Sequence, residues 1–366
     1  MKKKKINVLI PDCNSGHTMA VVRCLGKMPD IALHGCTDDG KIPFRYSRYT
    51  KSFTLITQSS NEDYIQKLNA IIKDKKIDVI LPIGGGTYRF FAANIAAIDS
   101  NARLATTASA EILEMVSNKY ELAKFCDLHD IPSPKTAYLD EYKKEKNGLN
   151  LPLIVKPETG WGGNNVYHIV TEADFATVKP TKHASEGKYI VQEYIDGYDI
   201  DMSLLADKGK IVAYTIQKGF LKRSNPFAAS AGLEFLENDG VYQTVEKLIK
   251  ELNYSGIAHL DLRYDKHSGI YKIVEINTRY WGSLIASYLA GINFPYLHIL
   301  ATLEEEIPAS PYTPIQYMDF LAGLKSKKNS LFSSQDLGFR WRDTDYSFYL
   351  SDPVAEIYNA WKRSRN

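Results

Sequence analysis

The residues best suited to chemistry lie in two short segments that alternate polar and apolar side chains. The segments are G-I-A-H-L-D-L-R (256–263) and K-I-V-E-I-N-T-R (272–279). Successive side chains of a strand point to opposite faces, so every second residue of each segment shares a face. The two polar faces carry His259, Asp261, Arg263, Glu275, Asn277 and Arg279. A hairpin turn over residues 266–269 is expected to place these polar rows side by side, on a strand pair whose other face is apolar.

The polar patch on this strand pair combines two carboxylates, an amide and two guanidinium groups. Carboxylate and amide oxygens are ligands of Mg²⁺, which usually fills its remaining positions with water and phosphate oxygens. Guanidinium groups bind the oxygens of a phosphoryl group during its transfer. The patch therefore predicts a magnesium-dependent phosphoryl-transfer site. The alternative is a solvated sheet face held together by cross-strand salt bridges.

A glycine-rich loop follows a lysine in the stretch P-L-I-V-K-P-E-T-G-W-G-G-N-N-V (152–166). Lys156 ends an apolar strand, and the backbone N–H groups of Gly160, Gly162 and Gly163 could lie over phosphate groups. The loop is not a Walker A motif, because no G-K-[ST] follows. The alternative is an ordinary glycine hairpin in which the lysine lies at a strand edge.

A third segment, V-Q-E-Y-I-D-G-Y-D-I (191–200), has the pattern of an apolar strand that ends in Gln192, Glu193 and a turn at Gly197. Taken alone, this segment is typical of any strand end. Its meaning depends on its order relative to the other two segments.

The first hundred residues alternate predicted strands and helices, a pattern typical of a parallel sheet. Strands are predicted over 6–10, 31–36, 52–56 and 77–83, and helices over 18–27, 64–73 and near 88–97. Ligands bind such sheets at the carboxyl ends of the strands, which here are the loop 12–17 and the glycine triplet 84–86. Neither loop contains G-x-G-x-x-G, which argues against a dinucleotide-dependent oxidoreductase.

The chain has 366 residues, which suggests two or three domains, and its pattern changes after about residue 100. Helices are predicted over 109–129, followed by short strands of mostly antiparallel type. A domain boundary is expected near residues 105–115. The proline-containing sequence after residue 308 is expected to pack as an appendage.

Composition and charge exclude several classes of protein. The net charge of +2 argues against a protein that wraps a polyanion and against a disordered chain. Four cysteines without metal-ligand spacing argue against a zinc site and favour a reducing cytoplasm. Residues 280–303 carry no charged side chain, but serine, glycine and proline interrupt them, which favours a buried helix pair over a membrane span. The basic and aromatic stretch 45–49 is too short to indicate a nucleic-acid partner.

Taken together, the three segments resemble the ATP-grasp superfamily, and within it the carboxylate–amine ligases related to carbamoyl-phosphate synthase large subunits and D-alanine–D-alanine ligase. The resemblance spans about residues 5–303 and rests on the order and spacing of the motifs. The stretch E-I-N-T-R-Y-W-G-S (275–283) is close to the family form E-I-N-P-R-x-W-G-S. Thr278 replaces the proline, at a position whose side chain neither the metal nor the phosphate contacts.

The resemblance implies a mixed α/β and α+β fold. A Rossmann-like domain with a parallel sheet would span residues 1–108 and precede an ATP-grasp domain over 109–308. The ATP-grasp domain would consist of two α+β subdomains, the smaller over about 135–197. Residues 309–366 would form the C-terminal appendage.

The resemblance also assigns roles to residues at matching positions. The residues expected to bind ATP are Lys119, Lys156, Gly160, Gly162, Gly163, Gln192, Glu193, Ile195 and Asp199. The expected magnesium ligands are Asp261, Glu275 and Asn277. Arg279 would hold the transferring phosphate. Further candidates for phosphate or acyl-phosphate contact are Lys218, Arg223, His259 and Arg263.

Within the ATP-binding set, the two lysines would contact phosphates and the glycine loop would form a lid over them. Gln192 would lie near the adenine amino group, where the family more often has glutamate. Glu193 and Ile195 would present backbone groups to adenine. Asp199 would bind the ribose, where the family usually has the longer glutamate.

The implied cofactors are ATP and Mg²⁺, with Mn²⁺ able to substitute. The implied reaction joins a small carboxylate, such as an amino acid, to an amine or a thiol through an acyl phosphate. The expected partners are these small molecules, without nucleic acid or membrane. The family implies that a homodimer is possible, and the cysteines predict a cytoplasmic location. Two alternatives remain: an ATP-binding regulatory protein without catalysis, and an ATP-grasp phosphotransferase.

Overall fold

The strands of the chain assemble into three sheets. The structure is a computed structural model that describes residues 5–160, 162–163, 165–179, 188–221, 230–308, 311–323 and 341–363. Within these residues the three sheets have five, six and four strands.

The first sheet is parallel, which confirms the prediction from the alternating strands and helices. Its elements are β1 (Ile6–Ile10), α1 (Thr18–Leu25), β2 (Ile31–Thr37), β3 (Thr50–Leu55), α2 (Asn61–Lys75), β4 (Val79–Ile80), α3 (Gly85–Ala93) and β5 (Arg103–Leu104). The strand order is β3-β2-β1-β4-β5. Val8 and Ile10 belong to the core that contains α1, whereas Leu9 and Ile80 belong to the core that contains α2. Helices therefore cover both faces of the sheet, as parallel sheets require.

The glycine triplet begins a helix instead of forming a loop. Gly84 is the residue before α3, so Gly85 and Gly86 lie in its first turn, and the predicted start near residue 88 was wrong. The cause is Asp12, whose carboxylate accepts hydrogen bonds from the backbone N–H of Ile83 (3.0 Å) and of Gly84 (2.7 Å). These bonds fix the chain at the end of β4, so the helix can start at once.

The second sheet has four antiparallel strands in the order β6-β9-β7-β8. The elements of this region are α4 (Ala110–Ser117), α5 (Lys119–Leu128), β6 (Thr136–Tyr138), α6 (Leu139–Lys144), β7 (Leu153–Pro157), β8 (Tyr167–Ile169) and β9 (Tyr189–Glu193). Leu153, Val155 and Val191 form a small core with Tyr142 of α6. The other face of this sheet therefore points away from its own core.

The third sheet has six antiparallel strands in the order β14-β13-β10-β11-β12-β15. The elements are β10 (Gly197–Asp207), β11 (Lys210–Leu221), β12 (Gly232–Phe235), α7 (Asp239–Glu251), β13 (Gly256–Asp265), β14 (Ile270–Asn277), α8 (Leu284–Leu289), α9 (Phe294–Thr302) and β15 (Gln316–Met318). Helices α8 and α9 are the buried pair predicted within residues 280–303. Among the described residues, no helix combines the length and apolar content needed to cross a bilayer.

The C-terminal residues pack against loops of the first sheet. They form α10 (Tyr346–Ser351) and α11 (Pro353–Arg363). Asp352 accepts hydrogen bonds from Ser47 Oγ (2.6 Å) and from the backbone N–H of Arg48 (3.0 Å), and Glu356 pairs with the buried Arg23 at 2.5 Å. Strand β15 adds residues after 308 to the six-stranded sheet. The domain limits given above stay a prediction.

Asp352→Ala is expected to lower the free energy of unfolding by about 1–3 kcal/mol, because it leaves a buried hydroxyl and a backbone N–H without their acceptor. Asp352 itself is 1% exposed. Urea unfolding followed by circular dichroism measures the loss. Asp352→Asn keeps an acceptor and is the matched control with a smaller loss. Equal stability of the alanine variant and the parent would contradict this account of the C-terminal contact.

Candidate active site

The polar faces of β13 and β14 lie side by side, as the alternation of their residues predicted. Asp261 lies directly opposite Glu275, and His259 lies directly opposite Asn277. The register shifts by one residue after Asp261, so Arg263 is carried one step away from the acidic pair. The two carboxylates and the amide expected to bind magnesium are therefore neighbours on one face of the six-stranded sheet.

A third carboxylate joins this face, and sequence reasoning missed it. Asp201 on β10 lies directly opposite Asp261, and ligand atoms of Asp201, His259 and Asp261 all lie within 4.8 Å of one another. Burial, followed by the charge of Asp261, raises the pKa of Asp201 to about 8. The signal was present in Y-D-I-D, because the same alternation places Asp199 and Asp201 on one face.

Hydrogen bonds order the side chains of this face. Asn277 donates from Nδ2 to Asp261 Oδ2 (3.3 Å), and its Oδ1 accepts from the Arg279 guanidinium (3.1 Å). His259 Nε2 lies 3.3 Å from Asp261 Oδ1, while its Nδ1 lies 2.9 Å from Ser203 Oγ. Burial acts to lower the pKa of His259, but the hydrogen bond and charge of Asp261 outweigh burial and raise that pKa.

Two lysines reach the acidic face from other elements. Lys119 Nζ lies 3.4 Å from Glu275 Oε2 and donates to the carbonyl of Gly160 (2.9 Å). Asn118 caps α5 by accepting from the backbone N–H of Tyr120 and Glu121, which fixes Lys119 in the first turn. Burial raises the pKa of Glu275, and the charge of Lys119 opposes that rise.

Lys156 belongs to the four-stranded sheet. It lies opposite Ile190, and Ile154 lies opposite Gln192, so Lys156 and Gln192 share the face that points away from the core of that sheet. The lysine is 6% exposed, and burial lowers its pKa to about 8 although the charge of Glu275 opposes this. Lys119 contacts both Glu275 of the six-stranded sheet and the carbonyl of Gly160, shortly after β7 of the four-stranded sheet, so the two sheets meet around this lysine.

The described glycines of the predicted lid adopt backbone angles that other residues rarely reach. Gly160, Gly162 and Gly163 have φ values of 134°, 75° and 70°. A side chain on these residues would be strained, because L-residues avoid positive φ. The loop therefore needs its glycines for its backbone path.

Arg263 lies at the hinge segment instead of at the acidic cluster. Its Nε donates to the carbonyl of Ile195 (2.5 Å), one terminal nitrogen pairs with Asp199 (2.5 Å), and the other donates to the carbonyl of Gly197 (3.2 Å). Nearby, Lys272 pairs with Glu193 at 3.2 Å. The structure thus places Arg263 beside the residues expected to bind adenine and ribose, and its contact with phosphate stays a prediction.

Lys218 does not meet the other candidates. Gln217 lies opposite Asp201, so the next residue, Lys218, points to the opposite face of the sheet. There its Nζ lies 3.6 Å from the centre of the Tyr198 ring. A contact between Lys218 and phosphate would need it on the other face. Arg223, the remaining candidate, lies outside the described residues.

A loop of the parallel sheet reaches Arg279 through a residue that the sequence analysis did not single out. His17, just before α1, places Nε2 at 3.1 Å from a terminal nitrogen of Arg279. Burial, followed by the charge of Arg279, lowers the pKa of His17 to about 4, so the ring is neutral at pH 7 and accepts this hydrogen bond. The loop 12–17 was expected to bind a ligand, and it borders Arg279.

The donor set of the acidic face fits a magnesium ion. Asp261, Glu275 and Asn277 offer carboxylate and amide oxygens on adjacent strands, and Mg²⁺ prefers such oxygen ligands. Burial raises the pKa of Glu275 and of Asp201, so a divalent cation would stabilise their charged forms. The lysines and Arg279 around these residues suit phosphate oxygens.

Lys156→Met is expected to raise the free energy of unfolding at pH 7 by about 1–3 kcal/mol, because a depressed lysine pKa means that the folded state disfavours the charge. The folded pKa is about 8 and the ordinary value is 10.5. The gain should be complete below pH 8, shrink between pH 8 and 10.5, and vanish above. Urea unfolding of parent and variant at pH 7 and pH 10 measures it. A variant less stable than the parent at pH 7 would mean that the neighbouring acids outweigh burial.

The comparisons with known proteins agree with this geometry. A family model described as "ATP-grasp in the biosynthetic pathway with Ter operon" matches residues 185–320. D-aspartate ligase of Enterococcus faecium is 25% identical over 205 residues, covering 50% of this chain and 48% of the relative. D-alanine–D-alanine ligase of Anaplasma marginale is 22% identical over 213 residues, covering 53% of this chain and 62% of the relative. The chain thus spans less than two thirds of either curated relative.

A solved structure extends the likeness along most of the chain. N5-carboxyaminoimidazole synthetase from Staphylococcus aureus, complexed with ADP, superposes with a TM-score of 0.69 at 14% identity, covering 90% of this chain and 88% of that protein. At this identity the likeness shows the fold. Together with the family model over residues 185–320 and the order of the motifs, it confirms the resemblance to the ATP-grasp superfamily that was drawn from the sequence.

Proposed function

We propose that the chain is an ADP-forming ligase that joins a small carboxylate to an amine, with ATP as the energy source. One observation carries the proposal: the six-stranded sheet, the four-stranded sheet and α5 bring acids, an amide, lysines and an arginine to one site. The residues are Lys119, Lys156, Asp261, Glu275, Asn277 and Arg279. The ligase names of the curated relatives support the same class of reaction.

In the first step, an oxygen of the substrate carboxylate attacks the γ-phosphorus of ATP. The bond from that phosphorus to the β,γ-bridging oxygen breaks, which yields an acyl phosphate and ADP. In the second step, the amine attacks the acyl carbon, inorganic phosphate leaves, and the nitrogen loses a proton to form the amide. Such transfer depends on positioning and on charge neutralisation more than on covalent catalysis.

The residues of the chain divide this work. Lys119 and Lys156 bind phosphate oxygens, and Arg279 stabilises the charge on the phosphoryl group as it moves. Asp261, Glu275 and Asn277 would hold magnesium, which neutralises phosphate charge when bound. The glycine loop over the phosphates excludes water, which would otherwise hydrolyse the acyl phosphate.

The nucleotide binds along the end of β9, which carries Gln192 and Glu193. Gln192 meets the base, Glu193 and Ile195 offer it backbone groups, and Asp199 meets the ribose. Arg263 supports this end of the site through Ile195 and Asp199. The homodimer stays a prediction from the family resemblance, and the cytoplasmic location stays a prediction from the cysteines.

A non-hydrolysable ATP analogue with Mg²⁺ is expected to raise the Tm, because a ligand of the folded state stabilises it by mass action. Mn²⁺ should replace Mg²⁺ with a similar shift. Differential scanning fluorimetry measures both, with NAD at equal concentration as the control. Stabilisation by NAD without any by the ATP analogue would contradict the proposal.

Turnover separates the ligase from its alternatives. The chain is incubated with ATP, Mg²⁺ and mixtures of carboxylates and amines, and products are followed by mass spectrometry. The expected result is ADP, phosphate and a condensation product that has lost one water. A stable phosphorylated product without an amide would favour a phosphotransferase, and binding without turnover a regulatory protein.

Arg279→Ala is expected to lower kcat by roughly 10²–10³ while ADP affinity stays near that of the parent, because the arginine acts mainly on charge that develops in the transition state. Glu275→Gln removes a ligand charge and should raise the Mg²⁺ concentration needed for half-maximal rate. Arg342→Ala, at an exposed arginine, is the control for loss of a positive charge. If Arg279→Ala is as folded and as active as the parent with the true substrates, the assignment of this site is wrong.

A further inference from the structure

A buried amide at the end of β9 is held in one orientation by a threonine. Gln192 is 4% exposed, and its Nε2 donates to Thr136 Oγ1 at 3.0 Å. The hydroxyl of Thr136 donates to the carbonyl of Pro134 at 2.9 Å. A hydroxyl has one proton, so an oxygen that gives its proton to Pro134 can only accept from Gln192. The Nε2 end of the amide must therefore face Thr136.

The opposite end of this amide, Oε1, is an acceptor that points away from Thr136. Gln192 shares its face with Ile154 and Lys156, away from the core of the four-stranded sheet. A ligand bound on this face can donate a hydrogen bond to Oε1, and the amide held by Thr136 cannot turn to offer that ligand a donor instead.

We infer that Thr136 sets the choice of purine by holding Gln192 with its oxygen toward the base. The inference rests on the proposed function, because it needs a nucleotide whose base lies at Gln192. A 6-amino purine donates to Oε1, whereas a 6-keto purine would place one acceptor against another. Discrimination of this kind is strong where the mismatched pair stays buried and unpaired.

The threonine fixes the orientation of the amide, which the glutamine alone cannot do. A free glutamine can rotate its amide by half a turn and offer either a donor or an acceptor. A glutamate offers an acceptor in both orientations. Thr136 is therefore a positioning residue that makes Gln192 act as an acceptor only.

The inference is tested by the ratio of the affinities of the whole chain for ADP and for IDP, measured by calorimetry with Mg²⁺. IDP differs from ADP at purine position 6 and at the N1 proton, and the N1 effect is common to all variants. Thr136→Val keeps the shape of the side chain and removes the acceptor. This variant is expected to lower the ADP-to-IDP affinity ratio roughly 3- to 10-fold, the size expected for one net hydrogen bond.

Three further variants keep the test sharp. Thr136→Ser retains the hydroxyl and should retain the parent ratio. Tyr138→Phe removes another hydroxyl of β6, one that bonds Glu158, and should leave the ratio unchanged. In a Gln192→Glu background, Thr136→Val should have no further effect on the ratio, because a glutamate has no donor end.

The failures can be told apart. A parent that prefers ADP and a folded Thr136→Val variant with the same preference would overturn this inference and leave the proposed function standing. The same holds if Thr136→Val lowers the ratio equally in the Gln192→Glu background, since the effect would then bypass the amide. A parent that binds neither nucleotide would overturn the proposed function, and this inference with it.

Discussion

Burial of opposite charges between two sheets is the constraint on which the site depends. Lys119, Lys156 and Glu275 lose most of their contact with water, whereas Asp261 stays partly exposed. Proteins tolerate such a loss when the charges are paired and hydrogen-bonded. Glu275 has Lys119 at 3.4 Å, and Asp261 has the amide of Asn277. Burial lowers the pKa of Lys156 to about 8, and the opposing charge of Glu275 does not fully offset that effect. Burial thus disfavours the charged forms of these groups. A bound polyphosphate with a cation would stabilise the charged forms of both the lysine and the acids. Unfavourable burial of charge is expected of a binding site, because such a site makes the fold less stable than a neutral core would.

The fold satisfies this constraint through strand register and a helix start. Antiparallel pairing sets Asp261 opposite Glu275 with no freedom to slip, because a shift of one residue would turn the acids into the apolar core of the sheet. Asn118 caps α5 and so delivers Lys119 from outside both sheets. The second sheet delivers Lys156 on the face that its own core leaves free. Three elements distant in sequence therefore have to fold correctly before any one of these charges has a partner.

The alternation of polar and apolar residues along the strands explains why much of the site could be predicted from the sequence. The parts that could not be predicted depend on contacts between elements that are distant in the sequence. The polar faces of β13 and β14 are local patterns, and the register confirms that they lie together. Lys218 was named from the family resemblance, and only the pairing of its strand with the neighbouring strands shows which face of the sheet it takes. The composition of the polar patch suggested that Arg263 contacts phosphate. Three acceptors in the hinge segment hold its guanidinium at that segment. His17 and Thr136 act through contacts 262 and 56 residues away along the chain, which no local pattern encodes.

Each of the three sheets contributes a different part of the site, which affects which residues determine its specificity for ligands. In the proposed function, the four-stranded sheet presents Gln192 to the base, and the acids of the six-stranded sheet and Arg279 face the phosphates. Arg279 is bonded to Asn277 on one side and to His17 on the other, so the parallel sheet meets the site at the group proposed to stabilise the transferring phosphoryl. In the proposed reaction, the carboxylate that attacks the γ-phosphorus has to approach beside that group. The loops of the parallel sheet would therefore contact the remainder of this substrate, whereas the other two sheets would enclose the nucleotide. Substrate identity could then change through loop residues around His17 without disturbing the charges proposed to bind ATP.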